Sequence, residues 1–307
     1  MTILKKQNII AIIWDFDKTL IPGDMQEPLF KKFNVDPKEF WDEVDNLKDY
    51  YLKQGLTIHQ DNIYLSHILS YVKQGIFSGL SNKMLYEFGK ELELLPGLPH
   101  FFSAVKNIIK NKYNDEVKLE HYIVSNGIKK TIMGSEIYPH VEYVWGSEFI
   151  ETPAKPGYRN SNHDSIIQPI KNVQEITQIG YAFDHTAKTR VLFEINKGIN
   201  KNNNIHLNDF LLNSQRRIPF QNMIYIADGE SDIPAFSLIN KHGGKTIGVY
   251  PQNNEKVKVK VIDMYRENRI NTYGEANYQK NSFVYNWILN ATFDIAENII
   301  KQDKILV

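Results

Sequence analysis

The chain has 307 residues, 42% of them hydrophobic, enough for one large domain or for a core carrying a smaller module. Its 36 basic and 36 acidic residues cancel, which points away from a nucleic-acid-binding face or an anionic-lipid partner. Cysteine is absent, and with it go disulfides, thiolate nucleophiles and zinc–cysteine centres.

No apolar run approaches the ~20 residues of a membrane span. The run that follows Lys5 and Lys6 stops at Asp15 without a small-residue cleavage site. The expectation is a cytoplasmic protein with no signal peptide and no membrane partner.

Ile9 to Trp14 is a short, continuous apolar run, as in a strand buried on both faces. It ends in Asp15, Phe16 and Asp17, with Thr19 shortly after. Side chains alternate along an extended chain, so both carboxylates can face the crevice beyond the strand's carboxyl end. Two acids this close repel unless a proton or cation joins them. A hard divalent ion such as Mg2+, with a phosphate opposite, would meet that need. The plainer reading is an acidic turn after a strand.

Ile21-Pro22-Gly23 breaks the pattern, and helical sequence follows. Asp36-Pro37 caps a helix carrying Phe40, Val44, Leu47 and Tyr51 up to Gly55. A second helix carries Tyr64, Leu65, Ile68, Leu69 and Val72 up to Gly75. A third starts near Ser81 with Leu85, Phe88 and Leu92. With no strand between them, these segments read as a small helical bundle inserted into the main fold.

Pro96-Gly97 returns the chain to a core-packing helix with Phe101, Phe102, Val105 and Ile109. Tyr122 to Val124 reads as a buried strand ending at Ser125-Asn126-Gly127, and Val141 to Trp145 as the next. Strand, helix, strand is the βαβ pattern of a parallel sheet. Ile166-Ile167 and Ile176 to Tyr181 read as an irregular hairpin. Thr189 to Ile195 is a short helix closed near Gly198. Met223 to Ala227 is a strand ending at Asp228-Gly229, and Thr246 to Tyr250 is another. Val257, Val259 and Val261 alternate with lysines, which suits an exposed strand, with a helix as the alternative. Phe283 to Ile299 has the spacing of a closing helix.

Strand ends therefore carry Asp15, Asp17 and Thr19, then Ser125-Asn126-Gly127, a lysine near 188, and Asp228 to Asp232. In a doubly wound sheet all of these open onto one crevice. Each has a bland alternative: Ser125 as a helix cap, Asp228-Gly229 as an ordinary turn, Lys188 as one lysine among many.

The ordered set DFDKT, IVSNG, a lysine and IADGESD resembles the haloacid dehalogenase-like hydrolases, over Asn8 to about Tyr250. It is most similar to the phosphatases with a helical cap, the subgroup of phosphoserine, phosphocholine and phosphoethanolamine phosphatases. ELELLPGLPHFF at the return from the insertion and GSEF after the third strand fit that subgroup. Ala227 stands where the family usually has glycine, and the 150–185 segment is longer than usual.

The resemblance implies an α/β fold, a doubly wound parallel sheet formed by residues 1–22 and 96–307, with a helical cap over 23–95. It implies a Mg2+-dependent phosphatase acting on a small phosphorylated metabolite. Asp15 would be the nucleophile, Asp17 the acid and base, and Lys188 the cation beside the phosphate, with Arg190 and Lys197 as rivals. Mg2+ would sit on the Asp15 carboxylate, the Asp17 carbonyl and Asp228. Asp232 would hold a metal-bound water or the lysine, and Thr19 would brace the acidic turn. Ser125 with the amides of Asn126 and Gly127, at a helix start, would bind phosphate oxygens. Asp24, with Glu27 nearby, would hold a substrate ammonium, or else be a solvated helix start. His185 reads as structural or exposed.

Two other functions use the same residues: phosphoryl transfer to an acceptor other than water, and a binding module without turnover. The second usually lacks an acid or the lysine, and here every position is filled. No G-x-G-x-x-G follows the first strand, which argues against a dinucleotide enzyme.

Overall fold

The computed structural model describes residues 7–160 and 174–305. Its centre is a seven-stranded sheet in the order β4-β3-β2-β1-β5-β6-β7. The strands are β1 (Ile9–Trp14), β2 (Lys118–Ile128), β3 (Tyr143–Ile150), β4 (Gln178–Tyr181), β5 (Met223–Ala227), β6 (Lys245–Tyr250) and β7 (Thr272–Glu275). All neighbours run parallel except β4, which pairs antiparallel with β3. From β1 the chain builds outward through β2 and β3, then crosses back and builds the other half from β5. The reversal places the switch point at the carboxyl end of β1, where such sheets open a crevice.

The strand residues alternate between two apolar layers, as a buried parallel sheet requires. Ile10, Ile12 and Trp14 face α5 (His100–Lys112) and α10 (Phe283–Ile305), with Phe101, Phe102 and Ile288 opposite. Ala11, Ile13, Val124 and Tyr225 face α7 (His185–Lys197), α8 (Ile233–Lys241) and α9 (Glu255–Arg266). Among the described residues no helix is long and apolar enough to cross a membrane.

Four helices lie between β1 and α5: α1 (Glu27–Phe33), α2 (Pro37–Leu52), α3 (Ile63–Lys73) and α4 (Asn82–Gly89). The Asp36 carboxylate accepts from the Lys38 N–H at 2.7 Å, and Ser81 Oγ from the Met84 N–H at 3.2 Å, so both caps form. Phe30, Phe40, Ile68 and Phe77 are buried and continuous with the layer on the α5 face. The insertion also binds the segment after β3, where the Ile176 N–H donates to the Leu80 carbonyl at 2.9 Å.

Several elements differ from the sequence reading. α1 joins the three expected helices of the insertion. β2 runs on through Ser125-Asn126-Gly127, and the next helix, α6 (Lys129–Gly134), starts beyond them. The expected hairpin pairs Gln178–Tyr181 with β3, while its Ile166-Ile167 half lies outside the described residues. Val257 and Val261 are buried one turn apart on α9, with Val259 exposed between them, so the alternation belongs to a helix. β7 and α8 had no counterpart in the reading.

Candidate active site

Asp15 leaves β1 with its N–H bonded to the Ile226 carbonyl of β5 at 2.9 Å, which sets the two strand ends side by side. A tight turn follows, in which the Leu20 N–H donates to the Phe16 carbonyl at 2.8 Å and Lys18 takes a positive φ of 56°. Thr19 braces the turn through its backbone: its N–H donates to Phe16, and its carbonyl accepts from Tyr278 Oη at 2.6 Å. Its buried hydroxyl has no hydrogen-bond partner among the described residues.

A cavity of about 390 Å³ opens beyond the strand ends and is lined by Asp15, Asp17, Asp24, Ser125, Asn126, Lys188 and Asp228, among others. Seven of the ten residues expected at the site thus meet there, brought from β1, β2, α7 and the end of β5. Asp232 lies directly behind the lining. One carboxylate oxygen each of Asp15, Asp228 and Asp232 lies within 4.8 Å of the others, a spacing that fits one shared cation.

Lys188 stands on the first turns of α7, whose Asp184 cap accepts from the Ala187 N–H at 2.7 Å; Gly198, at φ 82°, closes the helix. Its Nζ lies 2.7 Å from Asp232 Oδ1 and 3.2 Å from Asp15 Oδ2, with all three side chains buried. The rivals are engaged elsewhere: Arg190 pairs with Glu194 at 3.2 Å, and Lys197 donates to the Leu207 and Asp209 carbonyls. Tyr225 Oη donates to Asp232 Oδ1 at 2.6 Å and Ser231 Oγ to Asp232 Oδ2 at 2.8 Å. Among the described residues no hydrogen bond or ion pair ends on the Asp228 carboxylate.

These surroundings shift the titrating groups. Burial pushes the Asp15 carboxyl up to about 6, against the pull of Lys188. Burial, with Asp15 and Asp232 adding, pushes Asp228 up to about 8. Burial lifts Asp17 well above the usual carboxylate range, helped by Asp24 and Asp15. Burial draws Lys188 down, but Asp15 and Asp232 outweigh it and hold the ammonium above its ordinary value. The pocket is short of positive charge. Its donors are hard carboxylate oxygens, so the residues present fit a divalent cation such as Mg2+.

Asp17 Oδ1 accepts from the Met25 N–H at 2.8 Å, and a Cβ built on Gly127 would sit 3.3 Å from its Oδ2. Ser125 Oγ accepts from the Gly127 N–H at 3.0 Å. Ser125 to Gly127 lie in the last residues of β2, and Ile128, the cap residue of α6, follows directly, so any anion they meet lies where the strand passes into the helix. Asp24 is salt-bridged to Lys18 at 2.5 Å, so its carboxylate is already neutralised. Tyr64 of α3 donates to the Asn126 carbonyl at 2.8 Å, a direct contact between the insertion and the site. His185 lines the cavity, as do Lys18, Glu230 and Lys260. Lys18 and Glu230 lie inside DFDKT and IADGESD, where the sequence reading gives them no role; His185 is marked only by its nearness to Lys188, and Lys260 by nothing.

No family model matches the chain. An uncharacterised protein of Borreliella burgdorferi is 40% identical over 289 residues, which cover 93% of this chain and 97% of that protein. A solved structure of a probable phosphoserine phosphatase from Vibrio cholerae, in unliganded form, is 14% identical, with a TM-score of 0.52 over 94% of this chain and 67% of that one. A HAD family hydrolase from Salmonella enterica serovar Typhi is 15% identical, with a TM-score of 0.48 over 82% of this chain and 65% of that one. The chain belongs to one family with the Borreliella burgdorferi protein, and the architecture it shares with the Vibrio cholerae structure is the haloacid dehalogenase-like fold.

Proposed function

We propose that the protein is a Mg2+-dependent phosphatase that hydrolyses a small phosphomonoester through an aspartyl-phosphate at Asp15. The observation that carries this reading is the convergence of Asp15, Asp17, Lys188 and Asp228 on one cavity from three separate segments, the turn after β1, α7 and the end of β5. Asp15 and Asp228 would hold the ion, with the Asp17 carbonyl. When bound, the ion offsets the charge of the phosphate and of the acids around it.

Asp15 attacks phosphorus as the ester P–O bond breaks, and the leaving oxygen takes a proton from Asp17. Asp17 is suited to this step, since burial favours its protonated form and the Met25 N–H fixes one oxygen, leaving the other to carry the proton. A water then attacks the acyl phosphate, Asp17 recovers the proton, and inorganic phosphate leaves with the Asp15 carboxylate restored. Lys188, between Asp15 and Asp232, holds its charge beside the transferring group.

The helices over 23–95 act as a cap in this reading, with Tyr64 as a contact to the phosphate-facing strand end. The substrate class that fits is a small, amino-bearing metabolite such as phosphoserine, phosphocholine or phosphoethanolamine. Its ammonium would have to displace Lys18 from Asp24, an exchange of one cation for another. Transfer of the phosphoryl group to another acceptor uses the same residues and differs only in product. The cytoplasmic setting expected from sequence belongs to the same proposal.

The test is a panel of phosphomonoesters assayed with Mg2+ and with a chelator, for the wild type and Asp15→Asn. Release of inorganic phosphate that disappears in both the chelated and the substituted enzyme is the expected result. Turnover surviving both would remove the mechanism.

A further inference from the structure

Three carboxylates lie close enough to share one cation, yet Asp232 already carries hydrogen bonds on both of its oxygens. Asp232 Oδ1 accepts from Lys188 Nζ at 2.7 Å and from Tyr225 Oη at 2.6 Å, while Oδ2 accepts from Ser231 Oγ at 2.8 Å. Ser231 Oγ in turn lies 3.4 Å from Lys188 Nζ. A carboxylate with donors on both oxygens cannot rotate without breaking one of them.

Tyr225 is an unexpected residue for its place. It is fully buried at the middle of β5, paired in register with Ile13 of β1 and Thr246 of β6. Its ring packs edge-on against Phe236 at 5.4 Å between centroids, a contact that phenylalanine would make equally well. Burying the hydroxyl has a cost that only a hydrogen bond offsets, and here that bond goes to Asp232. Because β5 residues alternate between the two layers, Tyr225 points to the α7 side, where Lys188 arrives.

We infer that Tyr225 is a positioning residue: its hydroxyl commits Asp232 to Lys188 and keeps that carboxylate from becoming a third ligand of the cation held by Asp15 and Asp228. Tyr225 touches neither substrate nor ion. Without its hydroxyl, Oδ1 keeps Lys188 as its donor but loses the neutral one, so the attraction of a bound cation can pull Asp232 toward it and away from Lys188, which then loses the partner that aims it at Asp15. This rests in part on the proposed phosphatase reading, but its first readout does not.

The experiment compares Mn2+ binding, followed by the electron spin resonance of free Mn2+, in the full-length wild type and Tyr225→Phe. Tighter Mn2+ binding in the variant is expected. With Mg2+ and a turned-over phosphomonoester, kcat should fall by about 10- to 100-fold with KM little changed. Unchanged or weaker Mn2+ binding, even with a lowered Tm, would mean the hydroxyl only packs, and overturns the inference. So would a wild type that binds no Mn2+. If Mn2+ binding tightens but the wild type turns over no phosphomonoester, the phosphatase reading fails and the assignment of Tyr225 stands. Should Tyr225→Phe not fold, Ser231→Ala frees the other Asp232 oxygen and must shift Mn2+ affinity in the same direction; no shift there overturns the inference as well.

Discussion

His185, the first residue of α7, meets Asp61 of the α2–α3 connection, with Nδ1 3.3 Å from Oδ2. The contact ties the helical insertion to the core beside the cavity, one turn before Lys188. Both side chains are more than a third exposed, so the pair contributes no more than about 1 kcal/mol to stability. Asp61→Ala should therefore leave the Tm within about 2–4 °C of the wild type. Substrate KM should nevertheless rise, because the insertion is held less often against the site. Thermal denaturation beside steady-state kinetics checks both, and an unchanged KM would make the bridge incidental.

Among the described residues nothing donates a hydrogen bond to the Asp228 carboxylate, and burial with the charges of Asp15 and Asp232 outweighs the attraction of Lys18 and Lys188. With its carboxyl raised from 3.8 to about 8 by burial, Asp15 and Asp232, the folded protein holds a proton that the unfolded chain releases. The stability tied to that proton is complete below pH 3.8 and is lost as the pH rises through about 8. Asp228→Asn should then raise the Tm of the metal-free protein at pH 8. Mg2+ should raise the Tm of the wild type and do little for the variant. Melting curves with chelator and with Mg2+ give the answer, and equal Mg2+ shifts in both proteins would count against Asp228 as a ligand.

A second pH effect sits away from the site. His121 is buried in β2, accepts the Trp14 indole N–H at 3.2 Å on Nδ1, and meets the Phe102 ring edge-on. Burial, with Lys106 adding, pulls its pKa from 6.5 down to about 3. Between those values the unfolded chain binds a proton that the folded protein refuses. Stability is full above pH 6.5 and falls as the pH drops toward about 3, a loss on the order of a few kcal/mol. His121→Gln should flatten the fall of unfolding free energy between pH 6.5 and 4, whatever its offset at neutral pH. Parallel curves would show that other groups carry the acid sensitivity.

α4 crosses α6 backbone to backbone, and two glycines make that possible. A Cβ on Gly134 would lie 1.8 Å from the Tyr86 carbonyl oxygen, and one on Gly89 2.0 Å from the Thr131 carbonyl oxygen. Neither oxygen can swing aside as a side chain can. Gly134→Ala should cost at least about 1–3 kcal/mol in urea unfolding, with kcat per folded molecule less affected. A variant as stable as the wild type would mean the helices separate more readily than their packing implies.

The sequence alone determined the elements whose signal is local. The apolar run Ile9 to Trp14 stops at two acids, and that is enough to mark a buried strand with charge at its end. Asp36-Pro37 and Ser81 mark helix starts because a cap acts within one turn. The order of the acidic, serine and lysine segments along the chain is by itself enough to suggest the fold. Where local signals compete, they leave two readings open: Val257, Val259 and Val261 alternate like a strand, but burial of the first and third against the sheet decides for the helix. Ser125 resembles a cap, yet pairing of Ile128 with Ser147 of β3 carries β2 past it.

Only the tertiary structure decided what each acid answers to. Asp24 pairs with Lys18, Asp232 with Lys188, and Asp228 with neither. Which of Lys188, Arg190 and Lys197 reaches Asp15 depends on how α7 packs on the sheet. Tyr225 reads in the chain as one more core aromatic, because its hydroxyl finds Asp232 only after β5 lies against α7. Hydrogen bonds and charge pairs between distant segments leave no periodic trace in sequence, since they depend on distance in space and not on spacing along the chain.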